Sequence, residues 1–98
     1  MIKTSDISVT LSTVDDKEKA ILDFSSINIT KNSTVYLSAS NGAIFLVAPS
    51  DISSSSFIDW IVSTYNVQDD INAEASRDGD TLILIGNNLN LEIDMGVV

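Results

Sequence analysis

Asn41 and Gly42 sit between two apolar-rich runs, TVYLSAS and AIFLVAPS, and this pair constrains the chain more than any other feature. Asn-Gly between alternating hydrophobics is the strongest short-range hairpin signal, because both residues tolerate the positive φ of a type I′ turn. A two-residue loop at Asn41-Gly42 predicts Ser40 opposite Ala43, Ala39 opposite Ile44, Leu37 opposite Leu46 and Val35 opposite Ala48. One face then gathers Val35, Leu37, Ala39, Ile44, Leu46 and Ala48 as core. The other carries Tyr36, Ser38, Ser40, Ala43, Phe45 and Val47, half apolar and half polar. A slip of one residue would turn the apolar set to water, so the register is strongly specified.

The last thirty residues carry two more turn signals, Asp78-Gly79 and Asn87-Asn88. Two-residue loops at both predict a three-stranded meander over 71–77, 81–86 and 89–95. Its first pair sets Ala73 against Leu84 and Ala75 against Leu82. The second sets Leu84 against Leu91 and Leu82 against Ile93. The two turns agree on one apolar face, made of Ile71, Ala73, Ala75, Leu82, Leu84, Leu89, Leu91 and Ile93.

Before the central hairpin, Ile7, Val9 and Leu11 alternate with Ser8, Thr10 and Ser12, as a half-buried strand does. Residues 13–24 admit two readings. Thr13 can cap a short helix with Asp15, Asp16 and Glu18 in its first turn, or residues 15–18 form a hairpin loop and 19–24 return as a strand. The alternation of Ala20, Leu22 and Phe24 with Ile21 and Asp23 favours the strand. Ile27 and Ile29 mark a further extended piece, and Pro49, which cannot donate to a ladder, ends the hairpin. The serines of 50–56 can accept the free N–H groups of a helix start. Phe57, Ile58, Ile61, Val62 and Tyr65 then recur at helical spacing, predicting a helix around 55–66 with Trp60 at the edge of its stripe. The fold class expected is α+β: one small domain over 1–98, about six or seven short strands in a mostly antiparallel sheet, and one helix packed on it.

The reverse of the meander supplies the candidate site. The same register aligns Glu74, Ile83 and Glu92 in one row, Asn72, Ile85 and Asn90 in another, and Ser76, Thr81 and Asp94 in a third. Ile83 and Ile85 are then either ordinary strand formers on an open face or the centre of a patch rimmed by Glu74, Glu92 and Asp94. The second arrangement is the anatomy of a protein interface.

Composition narrows the function classes. Fourteen acidic against five basic residues leave a net charge of −9. Such a surface disfavours phosphate backbones and anionic lipid and favours basic proteins. Without cysteine or histidine the chain has no disulfide, no thiolate nucleophile and no imidazole, so the commonest general base and the commonest metal ligand are missing. Asp15/Asp16, Asp69/Asp70 and Asp78/Asp80 are close pairs, but each falls at an expected turn, where Asp belongs for backbone reasons. Asp78-Gly79-Asp80 lacks the oxygen run of a calcium loop, and no Gly-x-Ser-x-Gly elbow or phosphate loop is present. The reading is of a non-enzyme with no catalytic residues, cofactor or metal. No segment reaches the roughly 18 apolar residues of a membrane span and the N-terminus lacks a leader pattern, so the cytoplasm, a host's if the chain is viral, is the expected location.

Two family resemblances bear on the alternatives. Lys19-Ala-Ile21, Asn41-Gly42 and Val47-Ala-Pro-Ser50 resemble the hairpin spacing of the stage V sporulation protein G family, small nucleic-acid-binding β proteins, over less than half of the chain. Residues 20–28, with the later helix and Asp-Gly hairpin, are similar in layout to one domain of a phage-type sliding clamp. Clamp helices carry basic residues toward DNA, whereas Asp59 is the sole charge on residues 57–65. The function expected from the residues themselves is docking on a basic protein surface. The specific form is a DNA-mimicking or site-blocking inhibitor of a nucleic-acid-handling complex, as phages and mobile elements deploy against host defence. The competing classes are an assembly subunit, a homo-oligomer joined through sheet edges, and a replication accessory or nucleic-acid-binding protein of the resembled types.

Overall fold

The computed structural model describes residues 2–3, 7–25, 27, 29–40, 42–68 and 73–96. Eight strands and one helix follow in the order β1 (Ile2–Lys3), β2 (Ser8–Val14), β3 (Lys17–Asp23), β4 (Thr34–Ala39), β5 (Gly42–Val47), α1 (Ser54–Asn66), β6 (Ala73–Asp78), β7 (Thr81–Gly86) and β8 (Glu92–Gly96). They form two antiparallel four-stranded sheets, a first ordered β1-β8-β4-β5 and a second ordered β2-β3-β7-β6. The α+β, mostly-sheet class expected from the sequence is the one observed.

Residues 13–24 form the hairpin. Val14 pairs with Lys17, and Asp15 and Asp16 between them both take positive φ, 51° and 65°, as a type I′ turn demands. Alternation then buries Ala20, Leu22 and Phe24. The helix begins inside the serine run: Ser53 is its N-cap and its Oγ accepts from the Ser56 N–H. Phe57, Ile58, Ile61 and Tyr65 are the buried stripe. Trp60 lies half-buried beside it, edge-on to Phe57 with ring centroids 6.0 Å apart. The inner faces of the sheets and this stripe share one core. Leu22, Leu82 and Leu84 come from the second sheet, Val35, Leu37, Ile93 and Met95 from the first.

Both expected hairpin registers are displaced by two residues. Ala39 pairs with Gly42, Leu37 with Ile44 and Val35 with Leu46, so Ser40 begins the loop; Asn41 lies outside the described residues. Positive φ falls on Ser40, at 47°, and Gly42 is already strand. Tertiary bonds set the turn there. Ser40, expected on the outward face, is buried: its N–H donates to the Leu89 carbonyl, and its Oγ to the Asn87 and Asn88 carbonyls at 2.9 and 3.3 Å. Likewise Ala75 pairs with Leu84 and Asp78 with Thr81, leaving Gly79, φ 60°, and Asp80 as the loop. A two-residue shift preserves which face each side chain takes, so within the described strands the inward and outward sets stand, with Ser40 at the loop the exception.

The expected meander does not form. β7 pairs with β3 and β6, while β8 crosses to the first sheet and pairs with β4 and β1. The connection is clamped from both sheets. Leu89 is buried, receives the Ser40 N–H on its carbonyl, and donates its own N–H to Glu18 Oε2 at 2.9 Å. Those bonds hold residues 87–91 as a crossover between layers and override the local turn signal at Asn87-Asn88. Ile71 and Asn72, expected at the start of the β6 strand, lie outside the described residues, as do Asp69 and Asp70.

Candidate interaction surfaces

Because β8 crosses over, the expected binding residues divide between two outer faces. Glu74, Ile83 and Ile85 stay on the second sheet, with Ile85 between Lys19 and Glu74 and Ile83 between Ile21 and Ser76. Glu92 and Asp94 lie on the first sheet, opposite Ser38 and Tyr36. The row Glu74–Ile83–Glu92 and the row Ser76–Thr81–Asp94 are therefore not formed; the row through Asn72 falls partly outside the described residues.

Each face nevertheless has an apolar centre and acidic neighbours. On the second sheet, half-buried Ile21, Ile83 and Ile85 lie side by side across β3 and β7. Asp23 and Asp78 flank Thr81 in the next row. Ser25 holds the Asp23 carboxyl below its usual range by side-chain and backbone hydrogen bonds, the backbone N–H reaching Oδ1 at 2.9 Å. Sequence reasoning missed Ile21 as part of this centre, although its outward parity was legible, because the β3–β7 pairing joins segments sixty residues apart.

On the first sheet the apolar groups are further out in solvent. Tyr36 and Phe45 are cross-strand partners, and Phe45 is 63% exposed. Val47 stands exposed opposite Thr34. Asp94 continues the Tyr36–Phe45 row, and its Oδ1 is buried with no hydrogen-bond partner among the described residues. Glu92 continues the row of Ser38 and Ala43 and borders an open polar groove of about 700 Å3 lined also by Ser40, Asn90 and Leu91. Exposed aromatics beside carboxylates form a surface suited to guanidinium and ammonium groups, which take charge pairing from the acid and cation–π attraction from the ring.

No group of three or more acidic side chains able to hold a metal ion occurs among the described residues. Asp78 closes the β6–β7 turn against Thr81, and the Asp80 carbonyl receives the Phe24 N–H, so this close pair serves the backbone. Comparison with known proteins finds no matching family model, curated protein or solved structure. Among the described residues, no helix is long and apolar enough to cross a membrane.

Proposed function

We propose that this chain is a non-catalytic binding protein that docks on a basic protein surface through the outer face of the first sheet. The observation carrying the reading is the row Asp94–Tyr36–Phe45, an exposed aromatic pair continued by a carboxylate, in a chain of net charge −9. Phe45 and Tyr36 supply apolar area at the centre of the contact, and Glu92 and Asp94 steer approach and choose a cationic partner. Basic surfaces of this kind belong above all to proteins that handle nucleic acid. The specific proposal is an acidic site-blocker or DNA mimic, of the sort phages and mobile elements direct against such complexes. Glu74, Ile83 and Ile85 form a second face with the same logic and less exposed apolar area.

Affinity capture from the source cell tests this, with wild type compared against Glu92→Lys and Phe45→Thr. The expected result is a basic partner retained by wild type, lost progressively as ionic strength rises, and released at least tenfold faster by Phe45→Thr. Capture that is indifferent to both substitutions, or strengthened by salt, contradicts the proposal.

A further inference from the structure

The helix closes one edge of the second sheet and leaves the other bare. β6 is the covered edge. Asp78 and Thr81 flank a two-residue loop and exchange both ladder bonds, so the backbone of Ala75 points off the sheet. Asn66, at the end of α1, meets both of its groups: Oδ1 accepts the Ala75 N–H at 3.0 Å and Nδ2 donates to the Ala75 carbonyl at 2.9 Å. The helix also reaches β5, the long edge of the first sheet, where Gln68 Nε2 donates to the Ala43 carbonyl at 3.0 Å.

Among the described residues, β2 has no such cover. By the same alternation, with Val14 and Lys17 flanking the tip, Val9, Leu11 and Thr13 direct their N–H and C=O groups away from β3. The devices that usually blunt an edge are missing: SVTLSTV contains no Lys, Pro or other charge. Leu11, on the core-facing side, is nevertheless 69% exposed. With Val9, Glu18, Leu89 and Leu91 it borders a cleft of about 280 Å3 beside the free edge.

We infer that β2 is a self-association edge, and that a second copy of this chain adds its own β2 antiparallel to the first. The two second sheets, of four strands each, then join into one continuous sheet about a twofold axis at Leu11. Leu11 faces its counterpart, Val9 faces Thr13 and Thr10 faces Ser12, each pair matched in size or polarity. The outward backbone groups of residues 9, 11 and 13 meet their equivalents, as an isologous interface requires. The occupant follows from charge. Two copies that each carry −9 can approach only along an uncharged stretch, and β2 is one. A basic peptide would call for carboxylates along the strand, and β2 has none. A contact between two strands buries less than the roughly 1,600 Å2 of a standard interface, so the dimer is weak and forms at high protein concentration.

Sedimentation velocity from micromolar to millimolar protein tests the inference, with Leu11→Lys and Leu11→Glu as variants. Leu11 is exposed enough for both to fold, and a melting curve on each confirms it. The expected mass of wild type rises from 10.5 kDa toward twice that, and association tightens as salt screens the net repulsion. Each variant sets like charges opposite one another and weakens dimerisation at least tenfold. Mixing the two restores it as a heterodimer. A wild type that stays monomeric at millimolar concentration overturns the inference, as does a dimer unaffected by both variants or one that salt dissociates. Leu11 takes no part in the outer face of the first sheet, so failure here leaves the docking proposal standing, and the reverse also holds.

Discussion

The two edges of the second sheet are strands of similar length and meet opposite fates. β6, six residues long, lies against α1, and its Ala75 is paired by Asn66 as if by another strand. Asp59 on the helix also reaches Arg77 of β6 at 2.6 Å, although an ion pair this exposed contributes under about 1 kcal/mol. β2, seven residues long, has strand β3 on one side and, among the described residues, no helix on the other. A sheet edge left open in water invites pairing. The difference teaches that the helix acts here as a cap on one side of the molecule and leaves the opposite edge as the one open to pairing.

Substitutions can break that contrast at graded cost. Ile61 on the helix and Leu37 on β4 are fully buried, so Ala at either should cost about 2–5 kcal/mol in chemical unfolding; losses under about 1 kcal/mol at both would deny the helix its place in the core. Asn66→Ala strands two backbone groups of β6 at once and should cost about 1–3 kcal/mol, with faster exchange of the Ala75 amide. Tyr65→Phe removes the hydrogen bond from the Tyr65 hydroxyl to the Ala39 carbonyl at 2.6 Å and should cost about 0.5–1.5 kcal/mol. Burial raises the Tyr65 hydroxyl above its ordinary value of 10.0. An unfolded tyrosine therefore ionises first, so the native state keeps its full stability below about pH 10 and loses it as pH rises further. Tyr65→Phe should flatten that alkaline slope in a melting series. On the open edge, Leu11→Ala should change stability by no more than about 0.5 kcal/mol, as for an exposed side chain.

The faces of the strand residues and the three hairpin pairings β2–β3, β4–β5 and β6–β7 were legible in the sequence, and the pairings β3–β7, β4–β8 and β1–β8 were not. Alternation placed Leu37, Leu46, Leu82, Leu84 and Ile93 inward and Tyr36, Phe45, Ile83, Ile85, Glu92 and Asp94 outward, because parity survives any even shift of register. The helix was legible from the serine run of 50–56 and the 57–65 stripe, while the choice of Ser53 as its cap was not. Turn chemistry placed the first loop one residue late and the second one residue early; the first shifts because Ser40 is held by bonds to residues 87–89 that no local pattern encodes. The crossover of β8 was hidden for the same reason. It depends on Glu18 capturing the Leu89 N–H, a contact between residues far apart in the chain. With that crossover went the composition of the candidate site, whose acids Glu92 and Asp94 moved from the isoleucines to the aromatics.

Residue-resolved amide hydrogen exchange in dilute solution tests the central contrast most directly. The account predicts slow exchange at Ala75, lost in Asn66→Ala, and fast exchange at Val9, Leu11 and Thr13, which becomes slow as protein concentration rises. An Ala75 amide that exchanges as fast as Leu11 in wild type, or β2 amides protected equally at every concentration, would contradict it.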